Sequence, residues 1–121
     1  MTPKEKQIID SLKLAIQGEN LIEFKYNGEY RIVEPYLIGE LFSKNQRFEE
    51  EGTWALRAWF VEGFTSQPVD KKVGDRWRKY ELKKIMELDI LTSTNNKVRP
   101  LYNPNDKDFK RITFRVEVKK Q

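Results

Sequence analysis

The sequence predicts a mainly β (α+β) domain in which one N-terminal helix precedes a small antiparallel β-barrel. A helical stripe of apolar residues opens the chain, and short segments with alternating apolar and polar residues follow it. Gly, Pro and Asn residues separate those segments at turn positions. A length of 121 residues with 38% hydrophobic residues suits one core. Short strands joined by turns favour a barrel, and we expect one domain over residues 1–121.

The N-terminal helix is predicted over residues 3–17. Thr2 is the candidate N-cap, Pro3 takes the first helical position, and Glu5 completes a capping box with Thr2. Gly18 ends the helix. The apolar stripe consists of Ile8, Ile9, Leu12, Ala15 and Ile16. We expect this helix to cover the β-core, and the alternative is a helix that binds a partner.

The barrel is predicted over residues 21–92, and its first two strands are residues 21–26 and 30–38. Apolar and charged residues alternate in the first strand, and Asn27-Gly28 after it is a strong signal for a tight turn. Pro35 lies in the second strand. Because proline cannot donate a backbone hydrogen bond, we expect Pro35 at a sheet edge or a bulge.

The third strand, residues 54–62, is predicted to be central because both of its faces carry large apolar groups. One face holds Trp54, Leu56, Ala58 and Phe60, and the other holds Arg57, Trp59 and Val61. Long loops at residues 39–53 and 63–75 flank this strand. Strands at residues 77–82 and 86–91, joined by a short turn at 83–85, complete the barrel.

Residues 93–119 are predicted to form a linker and then a C-terminal strand. The linker is rich in Ser, Asn and Pro. The strand alternates cleanly, with Ile112, Phe114, Val116 and Val118 on one face. It either pairs with the barrel edge or joins the sheet of a neighbouring chain, which would give a homodimer.

The net charge of +4 is unevenly distributed. Residues 1–70 hold eight Lys and Arg against twelve Asp and Glu, whereas residues 71–121 hold fifteen against seven. Clustered cations indicate a polyanionic partner, and the alternative is a solvated basic face.

Cysteine and histidine are both absent, which excludes disulfides, thiolate zinc sites, Cys nucleophiles and His-based triads. We therefore expect a protein that is not an enzyme and that needs no cofactor. A magnesium site made of carboxylates stays open at residues 49–51, which are three consecutive Glu. No run approaches the roughly 18 apolar residues of a membrane helix, and the N-terminus lacks a signal peptide. A cytoplasmic protein without a membrane partner is expected.

Four segments in order resemble the WYL domain of bacterial regulators. Two of them carry the named motifs: Trp54-Ala55-Leu56, and residues 78–85, which read RKYELKKI. The other two are the helix with the strand at 21–26, and residues 31–37, which read RIVEPYL. The resemblance covers roughly residues 8–92. Ala55 stands where the family has Tyr, and Lys83-Lys84 stands where the family has Asp-Arg.

The resemblance implies an Sm-like or SH3-like barrel with the helix packed against it. It also implies a ligand site at Arg78, Lys84 and Arg31, with Ala55 in the position of the family's Tyr. Independently of the family, four cations lie on or beside predicted strands, where their guanidinium and ammonium groups can converge on phosphate: Arg31, Arg57, Arg78 and Lys84. Because alanine cannot stack on a base, Tyr80, Trp59 or Trp77 would have to supply the ring.

Two functions remain open from the sequence. The first is a non-enzymatic, WYL-like ligand-sensing domain that binds a nucleotide or single-stranded nucleic acid through a basic barrel face. Family members are commonly fused to a winged helix-turn-helix domain, so the resemblance implies transcription regulation with a protein partner that supplies the DNA-binding domain. The alternative is a structural or interaction module with a decayed ligand site, which works through homo-oligomerisation or a protein partner.

Overall fold

The computed structural model describes residues 1–42, 52–65, 67–94 and 98–118. One helix, α1, precedes six strands in this part of the chain, and a 3-10 turn, Leu82–Lys84, separates the fourth strand from the fifth. The elements are α1 Pro3–Gln17, β1 Asn20–Tyr26, β2 Glu29–Leu41, β3 Trp54–Gly63, β4 Trp77–Glu81, β5 Ile85–Ser93 and β6 Phe109–Arg115. The predicted helix and strands are confirmed with small shifts at their ends. The acidic run at residues 49–51 lies outside the described residues.

Helix α1 begins with the predicted capping box. The Thr2 side chain accepts a hydrogen bond from the backbone N–H of Glu5 at 3.1 Å, and the Glu5 carboxylate accepts one from the Thr2 N–H at 3.1 Å. These bonds satisfy two donors that a helix start otherwise leaves unpaired. The buried stripe is the predicted one, Ile8, Ile9, Leu12, Ala15 and Ile16. It packs on one face of the sheet together with the apolar residues of β1 to β5.

Strand β2 organises the sheet, whose hydrogen-bonded order is β4-β3-β2-β1-β5 with antiparallel neighbours. One edge of β2 pairs with β3 along most of its 13 residues. The other edge pairs first with β1, up to Val33, and then with β6, from Leu37 onward. Pro35 falls in the gap between these two partners and at a register shift against β3, so the predicted bulge is confirmed.

The mainly β fold with one N-terminal helix is confirmed, and the sheet is open. Strands β4 and β5 are its two ends, and no ladder joins them within the described part of the chain. A closed barrel is therefore not confirmed. A side-chain hydrogen bond nevertheless links β1 to β4, because the Tyr26 hydroxyl of β1 accepts a hydrogen bond from the Glu81 N–H of β4 at 3.1 Å.

A second, smaller apolar cluster lies on the outer face of the sheet, opposite α1. Residues 98–108, here called the strap, cover this face. The Trp77 indole N–H donates to the Pro100 carbonyl at 2.7 Å, and the Tyr102 ring lies 4.9 Å from that of Tyr36. The Asn and Pro content of this segment predicts a linker, whereas in the structure its Tyr102 side chain packs against the sheet.

Strand β6 follows the strap and pairs with β2 of the same chain. The sequence left two pairings open for the C-terminal strand, and the structure shows the one within the same chain. The strand ends at Arg115, three residues before the predicted alternation ends at Val118. Helix α1 is the only helix described beyond a single turn, and it lacks the length and apolar character of a membrane span.

Candidate functional site

Four of the six residues predicted to contact a ligand lie close together at one side of the sheet. Arg31 and Arg78 both act electrostatically on Tyr80, and Lys84 lies near enough to be influenced by Tyr26. Two further aromatic residues, Tyr26 and Phe64, contact Arg31. We call this set the arginine–aromatic surface, and its members are Tyr26, Arg31, Phe64, Arg78, Tyr80 and Lys84.

Arg31 is the centre of this surface. It is only 7% exposed, and its guanidinium lies over three rings, with centroid distances of 5.0 Å to Tyr26, 5.4 Å to Phe64 and 5.9 Å to Tyr80. Its Nη1 donates to the backbone carbonyls of Tyr26 and Glu29. Aromatic faces attract a cation through their quadrupole, which offsets part of the cost of burial.

Within the described residues no carboxylate neutralises the charge of Arg31. Its hydrogen bonds in this part of the chain are donated by Nη1 alone. Among the described side chains no nitrogen or oxygen is both buried and without a hydrogen-bond partner. Nε and Nη2 of Arg31 are therefore at least partly in contact with solvent and have N–H donors available to an anion.

The two tyrosines form the wall beside Arg31. The Tyr26 and Tyr80 rings meet edge to face with centroids 5.2 Å apart, and Phe24 meets Tyr80 in the same way at 5.0 Å. Burial raises the pKa of Tyr80 to about 12, although the cations of Arg31 and Arg78 act in the opposite direction. Tyr80 is therefore a neutral phenol at any ordinary pH.

Arg78 forms hydrogen bonds with the segment that follows β3. Its Nη2 contacts the Thr65 hydroxyl at 3.4 Å and the carbonyls of Gln67 and Pro68 at 3.2 Å each. Part of its hydrogen-bonding capacity is thus used internally. Arg78 both contributes charge to the surface and fixes the residues next to Phe64.

Lys84 supplies an exposed cation at the rim. Its ammonium lies 2.6 Å from the Glu81 carboxylate, and this hydrogen bond raises the pKa of Lys84. Because the pair is exposed, water and salt weaken it, so the Lys84 ammonium is accessible to an anion.

The structure does not bring Arg57 and Ala55 to this surface. Ala55 is fully buried beside Tyr36, Leu37 and Phe109, so no ligand contacts it in this conformation. Arg57 points to the outer face of the sheet, where Nε meets Asp106 and Nη2 meets Asp108 of the strap, both at 2.7 Å. Motif position predicts a ligand contact for Ala55 and strand location predicts one for Arg57, but neither property shows that the strap covers this face.

Asp108 forms an ion pair with a second cation of the outer face, in addition to Arg57. Lys79 Nζ lies 3.1 Å from the Asp108 carboxylate. The hydrogen bond from Lys79, with a further contribution from Arg57, lowers the pKa of Asp108. The outer cations are therefore neutralised within the chain, in contrast to Arg31.

Sequence reasoning missed Phe64 and Tyr26. Phe64 follows a predicted strand and belongs to no alternating pattern, so the sequence places it in a loop. The only local indication in the sequence is Gly63, which precedes Phe64. In the structure Gly63 has φ of +114°, and a Cβ on it would lie 2.5 Å from the Tyr30 carbonyl oxygen. A position that requires glycine next to an aromatic residue indicates a constrained turn.

Comparison with protein-family models, curated proteins and solved structures finds no match for this chain. The arginine–aromatic surface offers cationic N–H donors, a neutral phenol and aromatic faces, which are groups that bind anions and planar rings. In the described part of the chain no cluster of three or more acidic residues could hold a metal ion.

Proposed function

We propose that this protein is a non-enzymatic, WYL-like ligand-sensing domain of the cytoplasm. In this proposal the arginine–aromatic surface binds a nucleotide or single-stranded nucleic acid. The single observation that carries the proposal is Arg31, a largely buried cation over three rings with no carboxylate partner in the described ranges. A folded protein accepts the cost of such a charge more readily when an anion completes the site.

The arrangement of side chains supports a ligand that combines phosphate with a planar base. Arg31 and Lys84 present N–H groups to phosphate oxygens, and arginine adds a planar fork. Tyr26, Phe64 and Tyr80 supply rings within 6 Å of the Arg31 guanidinium. Basic and aromatic residues at one surface are typical of proteins that bind single strands.

We further propose that the curved sheet belongs to the Sm-like or SH3-like barrel class. Support comes from the N-terminal helix, from the strand order β4-β3-β2-β1-β5, and from the 3-10 turn that leads from one end of the sheet to the other. The hydrogen bond between Tyr26 and Glu81 draws β1 towards β4. In this reading a protein partner supplies the DNA-binding domain, and ligand binding regulates transcription through that partner.

The test is fluorescence anisotropy with labelled single-stranded RNA and DNA at low and moderate salt, with duplex controls. We expect saturable binding that weakens as salt rises, because phosphate contacts release counterions. The double variant Arg78→Ala/Lys84→Ala should bind about tenfold more weakly or worse at low salt. Circular dichroism establishes that it is folded.

A charge-matched control separates a local effect from a general one. Lys6→Ala/Arg111→Ala also removes one lysine and one arginine, from exposed positions on α1 and β6. This control should keep nearly wild-type affinity. Equal affinities for the folded Arg78/Lys84 variant and the wild type would remove the arginine–aromatic surface as the ligand site.

The second candidate is an interaction module that assembles with copies of itself. The observation in its favour is β5, which pairs with β1 on one side only and exposes Met86 and Ile90. Light scattering across protein concentration detects such assembly. Apolar assembly persists at high salt, whereas phosphate binding does not.

A further inference from the structure

We infer that Phe64 is the base-stacking platform of the arginine–aromatic surface, so that the ligand must carry an unpaired nucleobase. This inference rests on the proposed function and narrows it. A single strand offers such a base, whereas a duplex or a simple polyphosphate does not.

Phe64 is half exposed although it is large and apolar, with 47% of its surface accessible. Its ring lies over the Arg31 guanidinium at 5.4 Å. An arginine that stacks on a ring holds that ring in a defined plane. Phe64 therefore combines an accessible aromatic surface with a fixed orientation next to the cation that would receive a phosphate.

The backbone also fixes Phe64. Gly63 turns the chain with φ of +114°, and the Phe64 N–H donates to the Tyr30 carbonyl at 3.1 Å. The next residue, Thr65, contacts Arg78 through its hydroxyl. Bonds on both sides of Phe64 reduce the conformational entropy that it would lose when a base stacks on it.

A stacked base and a bound phosphate require adjacent partners on the protein, and this surface provides them. The Phe64 ring centroid lies 5.4 Å from the central carbon of the Arg31 guanidinium, and Arg78 donates a hydrogen bond to the segment that follows Phe64. In a duplex each base is already stacked on its neighbours and paired, so its faces are unavailable to Phe64. The platform thus predicts preference for single strands on physical grounds.

The experiment compares two labelled single-stranded probes of equal length. One is oligo-deoxyadenosine, and the other has the same sugar–phosphate backbone with abasic residues throughout. Phe64→Leu keeps an apolar side chain but removes the ring. We expect it to weaken binding of the adenine probe roughly 5- to 100-fold and to leave binding of the abasic probe within about twofold.

Two further variants complete the design. Phe64→Trp keeps an aromatic face and should restore binding of the adenine probe. Phe42→Leu changes another exposed phenylalanine, at the end of β2, and should bind both probes as the wild type does. Circular dichroism and thermal melting verify that each variant folds.

The outcomes separate this inference from the proposed function. If Phe64→Leu binds the adenine probe as the wild type does, or loses affinity equally for both probes, the stacking role is overturned while anion binding stands. If the wild type binds neither probe at low salt, binding of single-stranded DNA under the proposed function fails, and the stacking role of Phe64 fails with it.

Discussion

Arg31 illustrates how much of the site is predictable from single residues. Its position on a strand identified it as a fixed cation, and the structure has it there. Its neighbours were not predictable, because Phe64 and Tyr80 come from distant parts of the chain. Contacts across a sheet depend on strand order and curvature, which local patterns do not encode. Ala55 shows the converse, since a motif position did not reveal its burial.

Tyr80 gives the first stability prediction, at alkaline pH. Its pKa rises on folding from an ordinary value of 10.0 to about 12 because the phenol is buried. The neutral Tyr80 phenol therefore contributes its full stabilisation of the folded state below pH 10, and this contribution is lost as the pH rises from 10 towards 12. We expect Tyr80→Phe to reduce the loss of unfolding free energy over this range by roughly 2 kcal/mol.

Urea denaturation at pH 8, 10 and 12 measures this difference. The loss should not vanish in Tyr80→Phe, because burial also raises the pKa of Tyr36 and Tyr102. An identical pH dependence in the variant and the wild type would mean that Tyr80 titrates normally in the folded protein.

The helix and the strands were predictable because their signals are local. A capping box marks the start of α1, and alternation marks β1, β3 and β6. The strap was assigned to a linker because its Ser, Asn and Pro content resembles that of any loop. Its packing depends on Trp77 and Tyr36, which the chain supplies far upstream of the strap. The closed barrel is not confirmed, and local patterns do not decide it, since closure depends on the curvature of all strands together.

Gly39 gives a prediction for one strand pair. A Cβ on Gly39 would lie 2.2 Å from the Arg111 carbonyl oxygen, which belongs to the backbone of β6 and cannot move aside alone. We expect Gly39→Ala to displace β6 and to lower the unfolding free energy by about 1–3 kcal/mol. Hydrogen exchange should accelerate selectively at residues 109–115.

Gly28→Ala is the matched control for this variant. Gly28 has φ of +82° but no neighbour within 4 Å of its added Cβ. Its substitution strains the turn by about 1 kcal/mol without a steric contact at β6. Hydrogen exchange in β6 that is as slow in Gly39→Ala as in Gly28→Ala would show that β6 does not depend on the close approach of its backbone to Gly39.

At the scale of the molecule, ion pairs join the acidic and basic halves of the sequence. Arg99 contacts Glu34 at 2.7 Å, and Arg57 contacts Asp106 at the same distance. The charge asymmetry along the sequence is therefore partly cancelled in space, and it overestimates the basic surface. Helix α1 covers one face of the sheet and the strap covers the other, so both apolar clusters share β2 and β3.

This arrangement predicts that the strap and the sheet unfold together. In Trp54→Phe the two remaining tryptophans, Trp59 and Trp77, lie in the outer cluster beneath the strap. Their fluorescence should change at the same urea concentration as the far-ultraviolet circular dichroism of the sheet. A fluorescence transition at clearly lower urea would show that the strap detaches before the sheet unfolds.

The position of β6 against β2 also sets an order of folding. Strands β1 and β2 are joined by a two-residue turn, so their hairpin closes quickly, whereas Leu37 of β2 must wait for Arg115 from near the other end of the chain. We therefore expect the β1–β2 hairpin to form before β6 docks on β2. We also expect the chain to be most prone to aggregate in this interval, so that faster docking of β6 raises the yield of folded protein.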